Sequence, residues 1–457
     1  MNVNPITRLD YPDPDVIRVE DTYYMVSTTM HFMPGCEILQ SFDLVHWEHA
    51  TYVYETLDHT DAQQLKSGQN IYGQGMWAAS LRYHEGRFCI CFVANDTRKT
   101  YLYTSEKIDG PWKKQLIEGF YHDGSLLFDE DGRNYIVYGN DEIWITELNE
   151  DLTAPKKDGL HRLLVSDHKN PELGYEGSHI QKINGYYYIF LIHSLRDRWM
   201  RTEACFYSDS LEGEFTGGDV LCDDRGYCGQ GVAQGGIVDT PDGKWYAMLF
   251  QDSGAVGRIP ILVPVTWKDH FPVFGQNGHV PEEIEVHSTR PGYIYQPLVG
   301  SDDFCNGLLP RWQFNHDPDP RYYHLDALQG TYTITTREVC TELTQAVNTL
   351  TQRMSYPSCA AEVTVDASAL KEGDVAGLCA LQSCYAAVGI TKHHGKYEVL
   401  MLDKKEDGIL DMTERTVVES HQMDFRLEAD FCNMKDEARC YYRVNKGDWL
   451  PIGTVHK

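Results

Sequence analysis

No run of basic residues occurs in the 457-residue sequence, and no apolar stretch is long enough to span a bilayer. Lys and Arg number 40 against 68 Asp and Glu, a formal net charge of −28. That imbalance argues against nucleic acid or an anionic membrane as partner, since both repel an acidic surface. A basic, apolar, small-residue leader is missing as well. So are zinc-type Cys-x-x-Cys pairs: the thirteen cysteines are scattered, and Cys89 and Cys91 alternate onto one face of a strand. These absences lead us to expect reduced thiols in a cytoplasmic protein, with a secreted form trimmed of its leader as the alternative. Long amphipathic helical patterns are also lacking, which leaves an all-β chain.

Aromatics are plentiful, with 29 Tyr and 9 Trp among a 12% aromatic total. They suit strands and ring-shaped ligands alike. They also recur in order. Five segments begin at Asp13, Ala78, Asp123, Glu176 and Gln234. Each has a small or polar start, a β-type run, a turn and an aromatic-rich second strand. The turns carry Glu-Asp, Glu-Gly, Asp-Gly, Asn-Gly and Asp-Gly, which are strong hairpin signals. Third strands such as "YLYTSEKIDGPW" and "ACFYSDSLEGEF" follow. The period, roughly 45–65 residues, fits propeller blades with loop insertions. Five repeats predict a five-bladed β-propeller over residues 1–295. Beyond Arg290–Phe304 the repeat stops. Short alternating strands with Gly, Asn and Asp turns predict a β-sandwich over residues 296–457.

Aligned on their hairpins, the repeats place Asp13, Ala78, Asp123, Glu176 and Gln234 where the innermost strands open. Strand starts of equivalent blades converge on one end of the channel, so three carboxylates are expected to face one axial pocket. Such a set suits glycosidic hydrolysis, which needs an acid for the leaving oxygen and a base or nucleophile on the opposite face. A third carboxylate can raise the acid's pKa by like-charge proximity. The rival reading is a hard-cation site, but no segment clusters oxygen ligands as calcium loops do. "FDEDGRN" is nearest, and a hairpin turn accounts for it.

The motifs "NPITRLDYPDPDVIRVEDTYYMVSTT", "GQGMWAASLRY", "YHDGSLLFDEDGRNYIVYG", "YEGSHIQKINGYYYIF" and "GRIPILVPVTW" together resemble glycoside hydrolase family 43 across most of residues 4–270. "LPRWQFNHDPDPRYYHL" resembles the concanavalin-A-like (jelly-roll) sandwich of its β-xylosidase-type members. The resemblance implies an inverting mechanism with Asp13 as general base, Glu176 as general acid and Asp123 as the carboxylate that tunes and orients the acid. It implies Arg258 as an arginine reaching the sugar and the acids. Trp77 is a candidate stacking wall, Phe32 a pocket aromatic and His31 a sugar hydrogen-bonder, whereas His179 reads as a supporting or core residue. Departures occur at Ala79 and Ser178, where Pro is common, and at Gln234, where many relatives have a histidine near a channel metal ion. No cofactor is required for the chemistry, and a structural calcium or sodium in the channel is the alternative to water there.

The expected activity is exo-release of terminal α-L-arabinofuranosyl and/or β-D-xylosyl units from xylan-derived oligosaccharides. The substrate is the expected partner, and a homo-oligomer is compatible with the sequence. An arabinanase of the same fold and a catalytically silent sugar-binding propeller are the alternatives, although the latter predicts a lost acid. The related invertase-like clan would need an Asn-Asp-Pro motif that "YPDPDV" lacks.

Overall fold

The computed structural model describes residues 2–457. They form two compact units, Met1–Asp252 with Arg258–Arg353, and Ser253–Gly257 with Met354–Lys457. By packing, the first unit runs to Arg353, further than the boundary at 295 read from the sequence. The extra segment is held there by Met33, whose backbone pairs with Phe314, and by Gln313, which donates to Pro34 O at 2.8 Å.

Five four-stranded antiparallel sheets, each a simple meander, make up the propeller of the first unit. Their innermost strands are Asp15–Val19, Met76–His84, Ser125–Phe128, Glu176–Ile183 and Ile237–Asp239. Each sheet gains a fourth, outer strand that the sequence reading did not resolve, for example Glu48–Tyr54 and Lys113–Ile117. Some of these outer strands, such as Lys113–Ile117, are mostly exposed, whereas Glu48–Tyr54 is buried or half-buried throughout.

The second strands explain the dense apolar runs, because both of their faces are buried. In Arg87–Ala94, Phe88, Ile90 and Phe92 pack toward the first sheet, while Cys89 and Cys91 pack toward Leu126 and Ile136 of the third. In Tyr186–Ser194, Tyr187, Ile189 and Leu191 face the third sheet, and Tyr188 and Phe190 the fifth. A further cluster joins Met25 and Leu39 to Met248 and Leu262, closing the circle between first and fifth sheets. Each such side chain contributes about 1.5–3 kcal/mol by burial.

Polar contacts close the same ring at the axis. Leu81 N–H donates to Asp15 Oδ2 at 2.7 Å, Leu126 N–H to Ser80 Oγ at 3.2 Å, and Ile180 N–H to Ser125 Oγ at 3.0 Å. Gln181 Nε2 reaches Ile237 O at 2.8 Å, and Arg18 Nε reaches Asp239 O at 3.2 Å. The N-terminal segment seals the seam: Asn4 exchanges side-chain bonds with Leu262 backbone, and Tyr11 N–H donates to Arg258 O.

The second unit is a sandwich of two four-stranded sheets. Strand Gln422–Asp430 shows why: Met423, Phe425, Leu427 and Ala429 are buried while alternate residues are not.

Candidate active site

One irregularity recurs in all five innermost strands. In the second sheet Trp77 pairs with Val93 and Ser80 with Cys91, so two residues oppose one. In the fourth, Glu176 pairs with Ile192 and His179 with Phe190. The first, third and fifth sheets do the same, through Pro12 O to Thr28 N, His122 O to Gly139 N, and the Ala233–Phe250 bridge. Each is a β-bulge whose first residue has positive φ: Asp13 53°, Ala78 34°, Asp123 48°, Gly177 64° and Gln234 62°. Bulges of this kind re-aim side chains, and here they turn Asp13 and Asp123 inward.

The bulge corrects the sequence alignment. Asp13, Ala78, Asp123 and Gln234 share a column, but the fourth member is Gly177, not Glu176. Glu176 lies one residue earlier, level with Pro12, Trp77, His122 and Ala233. Alignment on hairpin turns cannot detect this offset, because Asp, Ala and Gln do not advertise a left-handed backbone.

Gly177 is needed twice over. At φ 64° a side chain is strained, and an added Cβ would lie 2.7 Å from the Gln234 side chain. Its N–H also donates to Asp123 Oδ2 at 2.9 Å. Gly177→Ala should therefore destabilise by about 1–2 kcal/mol from the backbone alone, with more from the clash. Thermal denaturation should show part of that loss recovered in Gly177→Ala/Gln234→Ala; no recovery would reject the clash as its cause.

The three acids have distinct settings. Asp13 Oδ1 accepts from Arg258 Nη1 at 2.8 Å, and Oδ2 from Thr28 Oγ at 2.6 Å. Thr28 in turn accepts from Ala78 N–H at 2.8 Å, tying Asp13 to the second sheet. Glu176 Oε2 accepts from Asn140 Nδ2 at 2.7 Å. His122 Nε2 stands 3.6 Å from both Asp123 Oδ2 and Glu176 Oε2. Burial, reinforced by the Glu176 and Asp13 carboxylates and opposed by His122, pushes the Asp123 carboxyl up to about 7. Burial works against charge on His122 too, but Glu176, Asp123 and Asp13 together raise its pKa.

Among the described residues, His122, Asp123 and Glu176 are the group of three metal-type donors with ligand atoms within 4.8 Å of one another. The neighbouring carboxylates favour the charged form of His122, a direction that suits proton handling.

Arg258 is anchored as well as aimed. Its backbone N–H donates to Asp10 Oδ1 at 2.7 Å, and its guanidinium lies 4.8 Å over the Phe250 ring. Its Nε is 3.4 Å from Asp252, which also pairs with Arg201. Burial and the Arg258 charge bring Arg201 down to about 10, so it still carries its charge at neutral pH. Arg201 sits 5.0 Å over the half-exposed ring of Trp199.

The softer candidates divide. Trp77 shares the level of Glu176 and His122, and its buried indole N–H has no hydrogen-bond partner among the described residues. Phe32 is partly exposed and packs on His31 with ring centroids 4.3 Å apart. His31 is different. It is buried, its Nε2 bonds Asn315 Oδ1 at 3.0 Å and its Nδ1 accepts Gly73 N–H at 3.1 Å. With both nitrogens committed, His31 props Phe32 and the 73–75 turn and has no ring nitrogen left for a sugar. His179 is a supporting residue, bonded through Nδ1 to Asp15 at 3.2 Å. The sequence reading missed His122, Asn140, Thr28 and Arg201. Only His122 left a trace, as the neighbour of Asp123.

Three carboxylates and an arginine, gathered from four sheets around a propeller axis, define a glycoside hydrolase. The chain belongs to glycosyl hydrolases family 43, whose model matches residues 3–272. A second model, the beta xylosidase C-terminal concanavalin A-like domain, matches residues 301–457. Among curated relatives, a beta-xylosidase of Formosa agariphila is 27% identical over 95% of this chain and 83% of its own length. A non-reducing end alpha-L-arabinofuranosidase of Bacteroides ovatus is 24% identical over 90% of this chain and 79% of its own. A solved structure of a bifunctional GH43-CE protein from Bacteroides eggerthii superposes with a TM-score of 0.92 at 41% identity. It covers all of this chain, which spans only 59% of that longer protein.

Proposed function

We propose that this chain is an inverting, exo-acting hydrolase that releases terminal α-L-arabinofuranosyl or β-D-xylosyl units from xylan-derived oligosaccharides. The observation that carries the reading is the unequal environment of the acids. Asp13 is clamped by Arg258 and Thr28, as suits a base that must point one lone pair at a water. Glu176 is more exposed and held by a single amide, as suits an acid that meets the leaving oxygen. Asp123 is buried between them, oriented by the Gly177 N–H and close to His122.

In the reaction, Glu176 gives its proton to the glycosidic oxygen as the bond to the anomeric carbon breaks. Asp13 takes a proton from water, whose oxygen attacks that carbon from the opposite face. The sugar leaves with inverted configuration, and proton exchange with solvent resets both carboxyls. Asp123, through its bond from the Gly177 N–H, holds the backbone next to Glu176. Relatives named as xylosidases and arabinofuranosidases support the pentose reading.

The test is a panel of p-nitrophenyl β-xyloside, p-nitrophenyl α-arabinofuranoside, xylo-oligosaccharides and arabinan, with proton NMR of the first-formed sugar. Turnover of at least one aryl pentoside, single-sugar release and an inverted anomer are expected. Internal arabinan fragments would favour the endo-acting alternative, and a retained anomer would remove Asp13 as a base.

A further inference from the structure

The channel below the acids holds a positive charge supplied by the chain itself. Arg82, on the innermost strand of the second sheet, sends its guanidinium across the axis to three other sheets. Nε donates to Leu126 O at 2.9 Å, and Nη1 to Asp15 Oδ2 at 2.7 Å and to Leu81 O at 2.6 Å. Nη2 donates to Ser125 Oγ at 2.7 Å and to Ile180 O at 3.2 Å. All five guanidinium N–H groups therefore have an acceptor. Asp15 is fully buried, and there Arg82, His179 and the Leu81 N–H outweigh the effect of burial and hold its carboxyl below the usual range.

A channel calcium or sodium, which the family resemblance raises, fits these residues poorly. A hard cation needs several oxygen ligands, and the carbonyl, hydroxyl and carboxylate oxygens at this level already accept from Arg82. The one carboxylate at this level, Asp15, is already paired with Arg82 and His179, so a second cation would find no free anionic ligand there.

We infer that Arg82 is the built-in cation of the channel and a positioning residue for the catalytic acids, joining the sheets that carry them where a metal ion would otherwise do so. Its contacts fall two residues after Asp13, two after Asp123 and four after Glu176. The three bulges that aim or flank the acids are thus referenced to one rigid, planar group. Lysine, a point charge, cannot reproduce the fork.

The activity readout rests on the proposed hydrolase function, whereas the metal readout does not. Purified protein should contain no stoichiometric calcium or sodium-site occupancy, and its melting temperature should not change between EDTA and millimolar calcium chloride. Arg82→Lys and Arg82→Met should lower kcat about 10²-fold with little change in KM, and methylguanidinium should restore part of the Arg82→Met loss. Stoichiometric calcium in the wild-type protein, or a calcium-induced rise in its melting temperature, would overturn the built-in cation. A folded Arg82→Lys variant with wild-type kcat would overturn the positioning role. Should Arg82→Met fail to fold, the lysine variant and the wild-type metal analysis still decide. A wild-type protein inactive on every glycoside would reject the hydrolase reading and leave the metal result standing.

Discussion

Glu176→Ala should lower kcat/KM on xylobiose by about 10²–10⁴-fold, the range that general acid catalysis supplies, while dinitrophenyl β-xyloside loses far less. The difference comes from the leaving group. A sugar alkoxide is too basic to depart unprotonated, whereas dinitrophenolate departs readily without a proton. The Asn140 amide fixes where the proton is delivered, and the alanine variant keeps the clamp on Asp13, so water attack should survive. Steady-state kinetics on a series of aryl xylosides checks this. The variant's rate should depend steeply on the leaving group's acidity and the wild type's only weakly. Equal losses on both substrates would show that Glu176 is not the acid.

Asp13→Ala should behave in the opposite way. Water must lose a proton as it attacks, whatever group departs, so activated and natural substrates should both lose about 10²–10⁴-fold. Removal of Asp13 also frees Arg258 from its 2.8 Å ion pair and Thr28 from its bond. Asp13→Asn keeps the shape and the Thr28 contact, and it should be as slow as the alanine form if the lost function is proton removal. Azide needs no deprotonation. It should partly restore turnover of the aryl xyloside by Asp13→Ala, with a glycosyl azide of inverted configuration as product. An Asp13→Ala variant with near-normal hydrolysis would end the assignment.

Much of this architecture was legible in the sequence because it repeats. The hairpin turns are local: Glu85-Gly86 and Asn184-Gly185 both adopt positive φ, as such turns require. Dense apolar runs marked the second strands, and three acids at strand entrances marked the site. What was hidden was long-range or conformational. Nothing local says that Arg82 crosses the channel to a carboxylate 67 residues away or that Asn140 meets Glu176. The bulge was hidden for a different reason. Only its fourth copy uses glycine, so four of the five left-handed positions look like ordinary strand entrances, and the register of Glu176 slipped by one. Nor does a repeat alignment show that Asp15 bonds the second and fourth sheets.

The seam sealed by the N-terminal segment has a consequence for how the molecule becomes active. Asp13 and Arg258 are 245 residues apart in the chain, on the two sheets that meet at that seam. During synthesis all three acids and all the strands of four sheets, the last ending at Leu221, precede the arginine that pairs with Asp13. Closing so long a loop costs conformational entropy. On the proposed assignment the site is complete only in the closed circle, because Asp13 and its arginine come from the two sheets at its ends.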